Sequence, residues 1–393
     1  MEEVFWTLMG NAITKEDKDS MIDFINNTDK FTNGDMVIEF EKKWSEWLGC
    51  KHTLYVSSGS TANLLLVSAI KEKYNLNFND KVLVPCCTWS TNITPIIQMG
   101  LKPVFCDINL YDFSFDVECL KKIVEKNTDI KVVFVTHLLG IPADIELYKN
   151  ILPNAIFIED CCESHGAEIN NIKVGNFSEG STFSFYFGHH CTTIEGGVVC
   201  TNDYDLYCLM KVKRSHGLAR ELPKEEYIKE SKKHPEIDSK FLFLTDGFNF
   251  RNTEINAVLG ISQLKHLSEN NLIRKSNYEK FVNFIKKYPQ YFYIPKVNGN
   301  SSFCLPVICK DSNFKNRLQE ILNKNKIETR PVVGGNLTIQ PFLSKYVEIG
   351  TVYNNSDILN SNGFYIGNSH FINEKHLDLL FNLIEKTIGY TYE

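Results

Sequence analysis

The sequence predicts an α/β fold, with a large domain on a mostly parallel sheet followed by a smaller C-terminal α/β domain. Three observations predict it. From Asn11 to about Leu264, short β-branched runs alternate with helical stretches. Several of these runs are apolar throughout and end in polar residues, as expected of strands covered on both faces whose connecting loops gather at their carboxyl ends. The composition then breaks at Pro295 and "VNGNSS", and a strand, a helix and a closing helix over residues 373–388 follow.

The elements follow in order. "VIEFEKKWSEWLG" (37–49) reads as an amphipathic helix with a glycine stop. "TLYVSSGSTANLLLVSAIKEKY" is a strand, a Ser/Gly turn and a helix, and "KVLVPCCTWSTNITPIIQMG" and "KPVFCDI" repeat the theme. "KVVFVTHLLG" and "AIFIEDCCESHGA" are two more buried strands. After "NAVLGISQL" a long helix is expected through Lys287. The expected division is residues 1–266, a large domain with an N-terminal arm, and residues 267–393, the linking helix and small domain.

With 43% hydrophobic residues among 393, the chain has enough apolar surface for sizeable cores. The net charge of −6 leaves no basic field for nucleic acid. The lysines of residues 229–240 are interleaved with Glu230 and Glu236, as on a solvated face. No stretch is long enough to span a membrane and the first residues hold no apolar signal segment, so a cytoplasmic protein is expected. The twelve cysteines include two adjacent pairs, Cys86-Cys87 and Cys161-Cys162, which suit neither a disulfide loop nor a metal clip. Small buried thiols and no metal are expected.

Five segments at strand ends carry the candidate chemistry. "SSGSTAN" (57–63) puts N–H groups and hydroxyls at a helix start, an anion site or ordinary capping. Trp89 in "TWSTN" suits stacking on a planar ligand or filling the core. Asp160 ends an apolar strand, where a carboxylate needs a partner such as a protonated heterocyclic nitrogen or a helix start; Glu163 follows three residues later. "FSFYFGHHCTTIEGG" (183–197) holds Ser184, then His189 and His190 before a glycine pair. "GFNFRNTEINAVLG" places Asn249 and Arg251 before a helix, and arginine suits phosphate or carboxylate.

In order and spacing these segments resemble the DegT/DnrJ/EryC1/StrS family of sugar-nucleotide aminotransferases. The resemblance runs from "FTNGDMVIEFEKKWSEWLG" through the C-terminal domain. It implies a fold-type-I, aspartate aminotransferase-like protein that uses pyridoxal 5'-phosphate (PLP). It further implies Gly59, Ser60 and Ser184 as phosphate ligands, Trp89 as the ring-stacking aromatic and Asp160 as partner of the pyridine nitrogen. Asn249 corresponds to a residue reaching the phosphate of the opposite subunit, so a homodimer with shared sites is implied.

Position 189 departs from the family. Its Schiff-base lysine stands five residues after the phosphate-binding serine, and five residues after Ser184 stands His189. This replacement resembles the lysine-lacking sugar-nucleotide 3-dehydratases, of the type acting on a GDP-linked 4-keto-6-deoxysugar. Glu163, where ordinary aminotransferases tend to have glutamine, points the same way as a cofactor contact. "ETRPVVGGNLTIQP" (328–341) is similar to the substrate segment of those dehydratases, which with Arg251 makes Arg330 and Asn336 candidate substrate ligands. A related dehydratase holds an iron–sulfur cluster through a Cys-x-Cys pair, a spacing absent here.

The resemblance thus implies PLP and pyridoxamine 5'-phosphate (PMP) bound without a covalent link. Its substrates are a nucleotide-linked 4-keto-6-deoxysugar, which loses its C3 hydroxyl, and L-glutamate, which restores PMP. The setting is deoxysugar synthesis for lipopolysaccharide. A lysine would capture PLP and expel an amino sugar; imidazole cannot form that link, yet it titrates near neutrality and moves protons. The alternatives are a nucleotide-sugar aminotransferase acting on a 4-keto or 3-keto sugar, and a non-catalytic member.

Overall fold

The computed structural model describes residues 6–348 and 350–389. Nine strands come first: β1 (His52–Val56), β2 (Lys81–Pro85), β3 (Lys102–Cys106), β4 (Ile130–Thr136), β5 (Ile156–Asp160), β6 (Glu168–Ile169), β7 (Ile172–Lys173), β8 (Gly180–Ser184) and β9 (Gly197–Thr201). Seven form one sheet in the order β1-β9-β8-β5-β4-β2-β3. Its pairs are parallel except that β9 runs against both β1 and β8. The mostly parallel sheet expected from the apolar runs is therefore present. β6 and β7 form a separate hairpin, turned by Asn170 and Asn171, whose positive φ angles (52° and 63°) suit its two-residue turn.

Three helices explain how the strand ends are held. Helix Asp35–Leu48 buries Val37, Phe40, Trp44 and Leu48 and stops at Gly49 in the left-handed region. Phe40 and Trp44 pack edge-on against Phe185 of the segment after β8, with ring centroids 5.3 and 4.7 Å away. Helix Gly59–Lys73 begins directly after β1 with a reciprocal cap between Ser58 and Thr61, and buries Leu65, Leu66 and Ile70. Helix Glu254–Ile285 is capped by Thr253. Its Glu254 carboxylate accepts the N–H groups of Gly34, Met36 and Val37 at 2.7, 3.0 and 3.1 Å. One side chain so satisfies the free donors at the start of another helix.

The long helix starts at Glu254, before "NAVLGISQL" rather than after it, so the expected division at residues 266 and 267 falls inside it. Beyond it β10 (Phe292–Tyr293), β11 (Cys304–Cys309), β12 (Thr329–Arg330) and β13 (Gly363–Gly367) form an antiparallel sheet in the order β10-β11-β13-β12. The sequence suggested one strand here. β10 and β12 are two residues each, too short to show a period, and β13 begins and ends in glycine. The two cores interlock: Leu138, Leu139 and Ile141 pack with the smaller sheet, while Leu337 and Leu343 pack with the larger. Among the described residues no helix is long and apolar enough to cross a membrane.

Candidate active site

The carboxyl ends of β1, β5 and β8 converge at the start of helix Gly59–Lys73. A Cβ on Gly59 would stand 2.6 Å from Ser184 Cβ and 3.0 Å from Ser184 Oγ, so only glycine allows this approach. A Cβ on Gly197 would come within 2.5 Å of the Ser58 carbonyl, so β9 also presses against the turn. Ser60 is exposed beside a nearly buried Ser184. Two hydroxyls, the positive end of a helix and a close-packed glycine make a cradle that fits a phosphate group.

Asp160 ends β5 and is 5% exposed. Its Oδ2 accepts from Asn63 Nδ2 (2.9 Å) and Asn92 Nδ2 (2.8 Å), and its Oδ1 from the Cys162 N–H (2.8 Å). Thr182 Oγ1 in turn donates to Asn63 Oδ1 at 2.6 Å, fixing the amide. These three partners are neutral donors, and a protonated ring nitrogen would add the charged partner that a buried carboxyl group suits. Asn63 and Asn92 were not singled out in the sequence; the available signal was an asparagine, Asn63, directly before the apolar run of helix Gly59–Lys73. Trp89 lies on the approach to Asn92 and is 55% exposed, so it does not fill the core and its ring face is open for stacking.

Glu163 follows on the next turn, where its Oε2 accepts the Leu139 N–H at 2.9 Å. Burial pushes its carboxyl up to about 7, with the Asp160 charge adding to the effect and the Leu139 bond opposing it. Leu139 presents that N–H from a left-handed conformation (φ 57°).

His189 occupies a tight turn after Ser184, its N–H donating to the Tyr186 carbonyl at 2.9 Å. Its ring lies 5.3 Å from that of Phe303 and 6.1 Å from that of His165, the two imidazoles being nearly parallel at 18°. Nδ1 is buried without a hydrogen-bond partner. Burial, with help from the Arg274 charge and against the Cys162 carbonyl, pushes the imidazole down to about 4. The ring is therefore neutral at physiological pH and able to accept a proton. His190 is engaged in a similar way with another carbonyl: its Nε2 meets that of Ser301 at 2.9 Å and it is 4% exposed. Each of the adjacent histidines thus has one backbone carbonyl, Cys162 for His189 and Ser301 for His190, and a buried Nδ1 without a partner.

Asn249 and Arg251 run alongside the end of β1, through a bridge from Val56 to Arg251 and the Ser57 N–H to the Phe250 carbonyl at 2.9 Å. Asn249 is exposed, and its Oδ1 accepts Arg251 Nε at 3.1 Å. Arg330, exposed on β12, borders a cleft of about 480 Å³ with Thr7, Met9 and Glu328. Met9 also packs over the turn before His189, where a Cβ on Gly188 would meet its sulfur at 2.3 Å. Asn336 is 2% exposed and engaged at both ends, accepting from Thr338 N (3.0 Å) and donating to Asp357 (2.7 Å). Its loop hangs from the Leu337 N–H to the Cys86 carbonyl at 2.9 Å, ahead of Trp89.

Beneath the site His137, Glu159 and Cys161 are close enough to suggest a metal centre. The Ala143 N–H occupies His137 Nδ1 (3.0 Å), and Glu159 accepts from His137, Gly175, Phe177 and Ser178 at 2.7–3.0 Å. The group is a closed hydrogen-bond network that positions β5.

A family model described as the DegT/DnrJ/EryC1/StrS aminotransferase family matches residues 12–382. A relative from Escherichia coli O55:H7 (strain CB9615 / EPEC), named GDP-4-keto-6-deoxy-D-mannose 3-dehydratase, is 36% identical over 348 residues, 86% of this chain and 89% of its own. The solved E. coli GDP-4-keto-6-deoxy-D-mannose-3-dehydratase with bound hydrated PLP superposes with a TM-score of 0.90 at 30% identity, covering 98% of this chain and all (100%) of its own. A solved GDP-4-keto-6-deoxymannose-3-dehydratase with a trapped adduct of PLP and glutamate superposes with a TM-score of 0.88 at 30% identity, covering 96% and 100%.

Proposed function

The chain belongs to the DegT/DnrJ/EryC1/StrS aminotransferase family, and from that membership we propose that it is a PLP/PMP-dependent nucleotide-4-keto-6-deoxysugar 3-dehydratase. One observation carries the reading: a neutral imidazole, His189, stands five residues after Ser184, where the family's aminotransferases have their lysine. Two relatives, 36% and 34% identical over 86% and 92% of the chain, are named as such dehydratases.

The cofactor fits the residues present. The Gly59–Ser60–Ser184 cradle would hold the phosphate, Trp89 would stack on the ring, Asp160 would partner the protonated ring nitrogen and Glu163 would be a further contact. When bound, it supplies an electron sink and carries the amino group that glutamate restores. The chain's own residues do the rest. His189 accepts and returns the proton, and because it is imidazole it cannot displace the cofactor's amino group and release an amino sugar. Asn63 and Asn92 hold the Asp160 carboxyl group in place through their N–H groups. Arg251, beside the end of β1, and Arg330, on β12, are cations suited to the substrate's diphosphate. Asn336, occupied within its loop, acts by shaping that wall.

The net reaction balances without an added oxidant. Glutamate gives up two electrons and its nitrogen, leaving as 2-oxoglutarate and ammonia, and carbon 3 of the sugar is reduced as its hydroxyl departs. The exposed Asn249 is directed to the phosphate of a second copy, so the working unit is a homodimer with shared sites, acting in the cytoplasm on lipopolysaccharide sugars. The large domain ends near residue 266 and the small one completes the site. Incubation with PLP, glutamate and a panel of GDP-, CDP-, dTDP- and UDP-4-keto-6-deoxysugars tests this. One member of the panel is expected to lose one oxygen; no product, or a product gaining nitrogen, would refute the proposal.

A further inference from the structure

Helix Glu254–Ile285 carries Arg274 into the interior, where it is 5% exposed. Nη1 donates to the carbonyls of Asn368 and Phe303, the latter at 3.3 Å, while Nε is buried without a partner. Among the described residues no carboxylate is one of its hydrogen-bond partners. Asn368 is fixed in turn, donating to the Arg274 carbonyl (2.9 Å) and Ser302 Oγ (3.0 Å) and accepting from Asn277 (3.3 Å). A buried guanidinium satisfied only by neutral carbonyls is a costly device, and an apolar side chain of similar length would serve packing better.

Its surroundings give it a use. Phe303, whose carbonyl holds the guanidinium, has its ring 5.3 Å from His189 and 5.9 Å from His190. The Phe303 N–H is bonded to the Leu139 carbonyl at 3.1 Å, and Leu139 also carries the N–H that Glu163 accepts. The groups facing His189 can be named element by element. Its own loop supplies Tyr186 and His190, the segment after β5 supplies His165 and the Cys162 carbonyl, and the strand-β11 side supplies Phe303. The carboxylates of that segment turn elsewhere, Asp160 to Asn63 and Asn92 and Glu163 to the Leu139 amide. Apart from its proton-accepting neighbours, the charge that acts on His189 is that of Arg274, and it opposes protonation.

We propose that Arg274 is a positioning residue for the His189 base: its buried guanidinium anchors the Phe303 wall against the imidazole and keeps that ring in the uncharged form a base requires. The same charge acts on His165 and His190, so the whole imidazole cluster is held neutral. The inference rests on the reading of His189 as the base.

The test is a histidine-ring NMR titration of the full-length, cofactor-free protein, with the His189 signal identified by its loss in His189→Asn. In the unsubstituted protein its midpoint is expected below about 5, against the ordinary value of about 6.5. Arg274→Met is expected to raise it by about one pH unit or more, and Arg274→Lys, which keeps the charge, to leave it near its original value. In the loaded enzyme the acid limb of kcat should move to higher pH in Arg274→Met and return in Arg274→Lys, with KM little changed. An ordinary midpoint in the unsubstituted protein overturns the proposal even if Arg274→Met fails to fold. So does a midpoint unmoved in a folded Arg274→Met, or moved equally by both substitutions, because lost packing alone would give those results. A depressed midpoint that responds to Arg274, beside a His189→Asn variant that dehydrates at the full rate, would instead refute His189 as the base and leave the charge relationship standing.

Discussion

Gly59 and Ser184 meet so closely that a single added Cβ on the glycine would stand 2.6 Å from the serine Cβ. In a helix, alanine is otherwise favoured over glycine by about 1 kcal/mol. Gly59→Ala is therefore a signed test: helix propensity predicts a stabler protein, whereas the contact predicts overpacking of roughly 1–3 kcal/mol. The expected outcome is a lower Tm and weaker PLP binding by absorbance titration. A stabilised variant with unchanged affinity would show that the two residues do not form the phosphate cradle.

Among the described residues Asp160 accepts hydrogen bonds from neutral donors, those of Asn63, Asn92 and Cys162. Asp160→Asn keeps the shape and loses the charge. It is expected to bind PLP yet slow the half-reaction with glutamate by roughly 10²–10³, the size of a lost preorganised electrostatic contact. Single-turnover absorbance measures this, and a rate within a factor of a few of the original would remove Asp160 from that role.

Borohydride reduction of the PLP-loaded protein followed by peptide mapping should yield no pyridoxyl-lysine. His189→Lys should yield one at position 189 and lose dehydration. Pyridoxyl-lysine in stoichiometric amount in the unsubstituted protein would mean that another lysine performs the family's usual task.

The pH dependence of stability has two opposed parts. The unfolded chain protonates His189 near 6.5 and the folded one only near 4, so folding loses stability as pH falls through that window. Glu163 acts the other way. Folded, it holds its proton up to about 7 against 4.5 unfolded, so stability is lost as pH rises from 4.5 through 7. Glu163→Gln, whose amide oxygen can still accept the Leu139 N–H, should therefore stabilise the cofactor-free protein at pH 8 by on the order of 2 kcal/mol. Denaturant titrations at pH 8 and pH 4.5 should show that advantage vanishing at the lower pH; an equal effect at both would contradict a raised Glu163.

What could be read from the sequence was local. The helix ending at Gly49, the strand–turn–helix at Ser58 and the strand ending at Asp160 declare themselves by period and capping. The five-residue step from Ser184 to His189 is likewise local. What could not be read depends on distant approach. Asn63 and Asn92 reach Asp160 across 97 and 68 residues, and Glu254 caps a helix some 220 residues earlier. Arg274 sits in the middle of a long helix beside the exposed Lys275, and only the packing against Phe303 and Asn368 shows that it is buried. The carbonyl that His190 meets, that of Ser301, is likewise distant, 111 residues away.

The most direct test of the account is the fate of nitrogen when the enzyme turns over ¹⁵N-glutamate with its nucleotide-4-keto-6-deoxysugar. A dehydratase whose lysine has been replaced by His189 cannot release an amino sugar, so the label is predicted to appear as free ammonia in step with 2-oxoglutarate. The sugar should lose one oxygen and carry no ¹⁵N. A stable 4-amino sugar bearing the label as the main product would contradict the account while leaving the fold and the cofactor site in place.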